Sequence, residues 1–349
     1  MTLTETRLRP LPKLELHLHL DGCARPATLR ELAVERGLPP PSDAEVIAPP
    51  QCDDLRDYIL RIDRALDLLQ DAPALARVSR EVVEDLADDG VVYAEIRFAP
   101  QLHTRLGLSM QAVLDTVAEA VAEASAATGV ETRLILCALR HQPVEVGEAV
   151  AELGVANRPR GQVAALDLAG DEGRFEGAPF ARAFDLARRG GLRRTVHAGE
   201  ARGPTSIREA LDSLGAERIG HGVRIVGDAA LMDEVRRRGL ALETCPTSNV
   251  QTRAVRTLAD HPADALLRAG LRVTVNCDGH TATPTSLSRE WARLTGQFGW
   301  NLTEFAAVTR HARRTRVHRC GHAPPCLEQR VADAWPQGDS LRAVSACRG

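Results

Sequence analysis

Lysine is nearly missing from this 349-residue chain, where every one of the 44 basic side chains except Lys13 is arginine. An excess of positive charge is missing too: 47 acidic groups leave a formal net charge of -3. That is no electrostatic footprint for a phosphate backbone, so nucleic acid is not the expected partner. No stretch approaches the roughly 18 to 20 apolar residues of a membrane span, and Met1 to Lys13 lacks the apolar run of a secretory signal. The eight cysteines follow no framework spacing, which argues against a disulfide scaffold and for free thiols in a reducing compartment. The expectation is a cytoplasmic enzyme-sized protein with neither membrane nor nucleic acid as partner. Composition leaves its oligomeric state open.

What is present is regular alternation of short β-branched segments with longer segments of helical period, the pattern of parallel strands joined by helices. Strands are expected at 14–20, 91–98, 133–139, 163–168, 194–197, 218–220, 241–244 and 272–276. Helices are expected at 27–35, 55–70, 74–88, 110–127, 179–189, 207–213, 229–238 and 262–269. Gly90, Gly129, Gly190, Gly239 and Gly270 read as helix C-caps. Eight such units fit an α/β fold of the (β/α)8 TIM-barrel type, with extra helices after the first strand and at the C-terminus. No glycine-rich nucleotide fingerprint follows the first strand, which disfavours an open doubly wound sheet. The chain reads as one domain over 1–349, with residues 1–10 and about 336–349 as flexible tails. From Arg310 to Cys326 the helical period is lost, which reads as a divergent tail or a compensated frameshift. His318, Cys320, His322 and Cys326 within that stretch make a small metal cluster a second option there.

Chemistry-bearing residues cluster at the expected strand ends. In Leu16-His17-Leu18-His19 a strand places both imidazoles on one face, either as metal ligands or as a satisfied interior pair. His197 ends the fifth strand, His221 the sixth and Asp278 the eighth, and barrels place their chemistry at the C-terminal ends of strands. Three neutral histidines and a carboxylate form an N/O donor set suited to a catalytic Zn²⁺ with a position left for water. With Lys13 the sole lysine, a carboxylated lysine cannot bridge two ions, which favours one metal, although Asp or Glu could still bridge. Cys277, beside Asp278, is a further thiol within reach of such a metal.

The strings PKLELHLHLDG ending at Gly22, DLAGDE (167–172), VHAGE (196–200), RIGHG (218–222) and CPTSN (245–249) occur in order. Together they resemble the adenosine deaminase family of metal-dependent aminohydrolases. The resemblance implies one zinc per chain held by His17, His19, His197 and Asp278, with Glu200 protonating purine N1 and His221 acting as base and electrostatic partner of the attacking hydroxide. It also implies substrate contacts from Asp21 to a ribose hydroxyl, from Gly170 to purine N3, and from His19. The implied reaction is hydrolytic deamination of adenosine or 2′-deoxyadenosine to the inosine form and ammonia. The alternatives are deamination of adenine or of a larger 6-aminopurine resembling aminodeoxyfutalosine, and a barrel that binds metal or nucleoside without turnover.

Several residues admit a plainer reading. Glu200 could be a first-turn acid favouring a helix dipole. Asp21-Gly22 could be a turn, Asp171-Glu172 a solvated charge pair outside the site, and Leu55, Tyr58, Ile59, Ile62 and Leu66 the face of a docked surface helix or the roof of a pocket. Where many relatives carry a second aspartate, Gly279 follows Asp278 and would open space near the base.

Overall fold

The computed structural model describes residues 3–317. Eight parallel strands run in the order β1 (Lys13–His19), β2 (Val91–Phe98), β3 (Glu131–Leu139), β4 (Val163–Ala169), β5 (Arg193–Ala198), β6 (Arg218–His221), β7 (Ala241–Thr244) and β8 (Arg272–Val275). The ring closes just beyond β8, where His19 N donates to Asp278 O (2.8 Å) and Asp278 N donates to His17 O (2.9 Å). This is the (β/α)8 barrel expected from the alternation, and each expected strand lies within two residues of an observed one.

Strand alternation explains where the core sits. On β1, Leu14, Leu16 and Leu18 belong to the apolar layer between strands and helices, while Glu15, His17 and His19 take the other face. The inner face is polar to an unusual degree for a fold whose interior is commonly branched aliphatic. Arg97 of β2 pairs with Asp167 of β4 (2.8 Å) and Glu243 of β7 (2.9 Å), and Arg218 of β6 pairs with Glu95 and Glu243 (2.5 Å each). All five are essentially without solvent contact, so each charge depends on its partners to offset desolvation.

The extra helices lie where expected, at Pro26–Glu35, Asp43–Val46, Leu55–Leu68 and Ala72–Asp88 after β1, and at Leu287–Phe298 and Leu302–Thr315 after β8. Helix Val144–Asn157, between β3 and β4, was not among those read from the sequence. Its Gly147 and Gly154 dilute the apolar stripe because they admit close neighbours: a Cβ on Gly147 would meet the Phe180 ring at 2.7 Å, and one on Gly154 would meet Leu192 at 2.9 Å. Of the glycines read as caps, Gly190 has an ordinary helical φ of -75°, and its neighbour Gly191 takes the left-handed one at 79°.

Two terminal expectations change. Within the segment 1–10, expected as a tail, Glu5–Leu8 forms a helical turn with Leu8 fully buried. Lys13 ties that segment down by donating from Nζ to Leu8 O, Arg9 O and Leu11 O at 2.8 to 3.0 Å. At the other end, helix Leu302–Thr315 runs through the first part of the stretch expected to lack helical period. Its buried stripe, Phe305, Val308, Thr309 and Ala312, falls mostly before residue 310, so a window opened there misses it. His318, Cys320, His322, Cys326 and the tail at 336–349 lie outside the described residues.

Candidate active site

At the C-terminal mouth of the strands the geography read from the sequence becomes a cluster. His17 and His19 come from β1, His197 from β5, His221 from the last residue of β6, and Asp278 from the turn after β8. His17, His197, His221 and Asp278 each offer one donor atom within 4.8 Å of all the others. His19 joins through Nε2, 3.1 Å from His197 Nε2 and 3.5 Å from Asp278 Oδ1, while His17 Nε2 is also 3.5 Å from Asp278 Oδ1. Ligands about 2.0 to 2.1 Å from a tetrahedral ion stand about 3.4 Å apart, so these separations suit one ion. His221 and Asp278 have φ of 60° and 67°, a left-handed conformation uncommon for residues with a Cβ and frequent where a site enforces it.

The histidines are oriented from behind. His17 Nδ1 lies 2.8 Å from Glu243 Oε2, and His197 Nδ1 lies 3.0 Å from Asp167 Oδ2. With their Nδ1 protons donated to these carboxylates, both histidines turn unprotonated Nε2 atoms inward, the arrangement by which a carboxylate fixes a metal-binding tautomer. His17 Nε2 is buried and has no hydrogen-bond partner. An orphaned nitrogen there, beside two imidazole nitrogens that face each other, is what a cation would satisfy. Ser248 Oγ donates to Asp278 Oδ2 (2.6 Å), leaving Oδ1 for the cluster. Cys277 packs in the apolar layer and is not a member of this group.

His221 is held with the opposite polarity. Asn249 Oδ1 accepts from Cys245 N (3.2 Å), which turns the Asn249 amide so that Nδ2 donates to His221 Nδ1 (2.9 Å). The neutral imidazole therefore carries its proton on Nε2, and burial keeps it neutral by pushing its pKa well below the usual value. That Nε2 is 3.5 Å from Glu200 Oε2. Burial, with the negative charges of Asp278 and Glu172 behind it, pushes the Glu200 carboxyl well above the ordinary carboxylate range. That direction favours the protonated form of Glu200, which a first-turn dipole acid would not need.

A recess opens over the cluster, lined by His19, His197, Glu200, His221, Asp278, Ala169, Gly170 and, from helix Leu55–Leu68, by Leu55, Tyr58, Ile59 and Ile62. That helix is the roof, which settles the choice left open by its spacing. Asp21 sits in a 3-10 turn at the end of β1, as the turn reading anticipated, yet it is buried and its Oδ1 has no partner. Burial, assisted by Asp63 and Asp278, lifts its pKa to about 6. Gly279 does not open space near the base: a Cβ there would lie 2.7 Å from Gly22 O, against the turn after β1. The pair Asp171-Glu172 is not solvated either. Glu172 is fully buried and accepts from Gly199 N, Glu200 N, Ala201 N and Ser206 Oγ.

The model of the family described as Adenosine deaminase matches residues 12–318. The chain belongs to the adenosine deaminase family. It is similar to an adenosine deaminase of Enterococcus faecalis, 37% identical over 313 residues that cover 88% of this chain and 92% of the relative. Among solved structures it is similar to an adenine deaminase of Arthrobacter aurescens, with TM-score 0.83, 29% identity, and 93% and 98% of the two chains covered. It is also similar to an amidohydrolase of Burkholderia ambifaria with bound Zn, with TM-score 0.85, 26% identity, and 95% and 91% covered. Membership makes the chain an aminohydrolase of a metal-dependent family, and the buried His/Asp cluster fits a metal. No helix among the described residues is long and apolar enough to cross a membrane.

Proposed function

We propose that this aminohydrolase converts adenosine, and 2′-deoxyadenosine, to the corresponding inosine and ammonia, with one zinc ion per chain held by His17, His19, His197 and Asp278. The observation that carries the reading is Glu200: a buried carboxyl whose pKa burial raises, 3.5 Å from His221 and beside a metal-type donor cluster, at the floor of a roofed recess. A zinc ion bound there would lower the pKa of a water from 15.7 to about 7 and so supply a nucleophile at neutral pH.

The chain's own residues account for the rest. Glu200 donates its proton to purine N1, which draws electron density from C6 and opens that carbon to attack by hydroxide. As the hydroxyl added at C6 becomes the carbonyl, its proton passes to the amino group, the C6–N6 bond breaks and ammonia leaves, while N1 keeps the proton from Glu200; the proton given up by the water returns to Glu200. His221, with its proton on Nε2, supports the electrostatic half of the role implied by resemblance, donating toward the attacking oxygen. Asp21, whose Oδ1 lacks a protein partner, is suited to accept from a ribose hydroxyl, and Gly170, with φ of 94°, can bring its backbone N–H close to N3. The apolar roof excludes water, which strengthens each of these contacts. We read the substrate as a free nucleoside met in the cytoplasm, with no nucleic acid or membrane involved.

A Glu200→Gln protein should bind its metal normally and lose about 10² to 10⁴ in turnover, the usual worth of a positioned acid. His17→Ala should lose metal as well. Turnover at the parent level in either variant, or loss of metal from Glu200→Gln, would overturn the assignment.

A further inference from the structure

We infer that Glu172 is a positioning residue for Glu200, an inference that rests on the reading of Glu200 as the proton donor. β5 ends at Ala198, and the chain turns through Gly199, whose φ is 72°. The next three backbone N–H groups all point at one carboxylate. Gly199 N donates to Glu172 Oε1 (2.7 Å), and Glu200 N and Ala201 N donate to Oε2 (2.9 and 2.6 Å). Ser206 Oγ, in the first turn of helix Pro204–Asp212, donates to Oε1 as well (2.5 Å).

This arrangement exceeds what a loop needs for compactness. Consecutive N–H groups converging on an anion form a rigid concavity, and here the anion is a side chain from the β4 loop, so two strand ends are fastened together. Four charge-assisted donors fix both carboxylate oxygens. One of those donors is the backbone N–H of Glu200 itself, so a displacement of Glu172 passes directly to the Cα that carries the acid. Gly199 N has a second acceptor in Ser206 Oγ (3.0 Å), which Glu172 also holds in place. Misplacement of a reacting group by about 1 Å can cost 10²-fold in rate.

The test is a double-mutant cycle on the metal-loaded enzyme: Glu172→Gln and Glu172→Asp, each in the parent and in the Glu200→Gln background, with kcat, KM, metal content and thermal melting measured on every protein. Glutamine cannot accept with its amide nitrogen, and aspartate is one methylene too short to span the turn. In the parent background Glu172→Gln should lower kcat about 10²-fold with KM changed by less than about threefold and metal content unaltered. In the Glu200→Gln background the same change should leave kcat within about twofold, because the residue it positions is already gone. An equal loss in both backgrounds, or no loss in the parent, would overturn the inference. So would loss of cooperative melting in both Glu172 variants, which would assign the residue to folding. Full turnover by Glu200→Gln alone would instead overturn the proposed function.

Discussion

The tautomers at this site are set by residues one step removed from it. Glu243 and Asp167 each hold an Nδ1 proton and aim an Nε2 lone pair at the cluster, whereas Asn249 reverses the polarity at His221. Asp167→Asn replaces one acceptor of that pair and also leaves Arg97, fully buried, with half of its charge partners. It should weaken metal binding about 10- to 100-fold, the usual cost of losing a carboxylate behind a ligating histidine, as measured by competition with a chelator. Unchanged affinity would show that His197 needs no orienter. Sequence made the imidazoles and Asp278 visible because they stand at strand ends in short motifs. Glu243 and Arg97 stayed hidden because a lone charge inside an apolar strand looks the same whether it faces solvent or a barrel interior. Glu172 was misread for a related reason: two adjacent acids after a strand suggest a solvated loop, and only the turned backbone at 199–201 shows what they serve.

Helices and strands divide between holding the cluster and covering it. Helix Leu55–Leu68 is opened by Asp54, whose side chain accepts from Asp57 N (2.9 Å), and is latched by Tyr58, whose hydroxyl meets Thr283 Oγ1 at 2.8 Å in the loop after β8. The cap is exposed and outside the cluster, so Asp54→Ala loosens the start of the roof, along with the contact from Arg174 Nη2 to Asp54 Oδ2 (3.3 Å), without touching a residue of the donor set. Loss of such a cap costs about 1 kcal/mol. Because the roof contributes to binding more than to proton transfer, KM for the nucleoside should rise up to about fivefold with kcat nearly unchanged. A fall in kcat without a change in KM would mean that the helix does not cover bound substrate. The strands and most helices were legible because period-two and period-3.6 patterns differ sharply. Helix Val144–Asn157 was less so, since glycines chosen for close packing against Phe180 and Leu192 interrupt its stripe.

Among the described residues, the molecule is a ring with a charged interior whose lower opening is stopped by the end of helix Leu302–Thr315 and the two residues that follow it. Arg218 Nη1 donates to Thr315 O (3.2 Å), Val317 N donates to Glu95 Oε1 (2.7 Å), and the Arg316 guanidinium lies 5.5 Å from the centre of the Tyr93 ring. Buried neutral histidines make such a fold sensitive to acid. Burial depresses His103 to about 4, outweighing the hydrogen bond to Leu69 O. Its unfolded form protonates near 6.5, so its contribution is present above pH 6.5 and is lost as pH falls toward 4, at most about 3 kcal/mol. His103→Gln should flatten the decline of melting temperature over that window relative to the parent, and an unchanged slope would contradict the linkage. Sequence could place the mouth of the barrel but not its charged interior, which depends on strand register. The most direct test of the whole account is ammonia release from adenosine, with adenine in parallel, by protein of measured zinc content, before and after chelation. One zinc per chain, turnover of adenosine that disappears with the metal and returns with it, and little action on adenine are predicted; turnover of adenine alone, or undiminished turnover by metal-free protein, would contradict it.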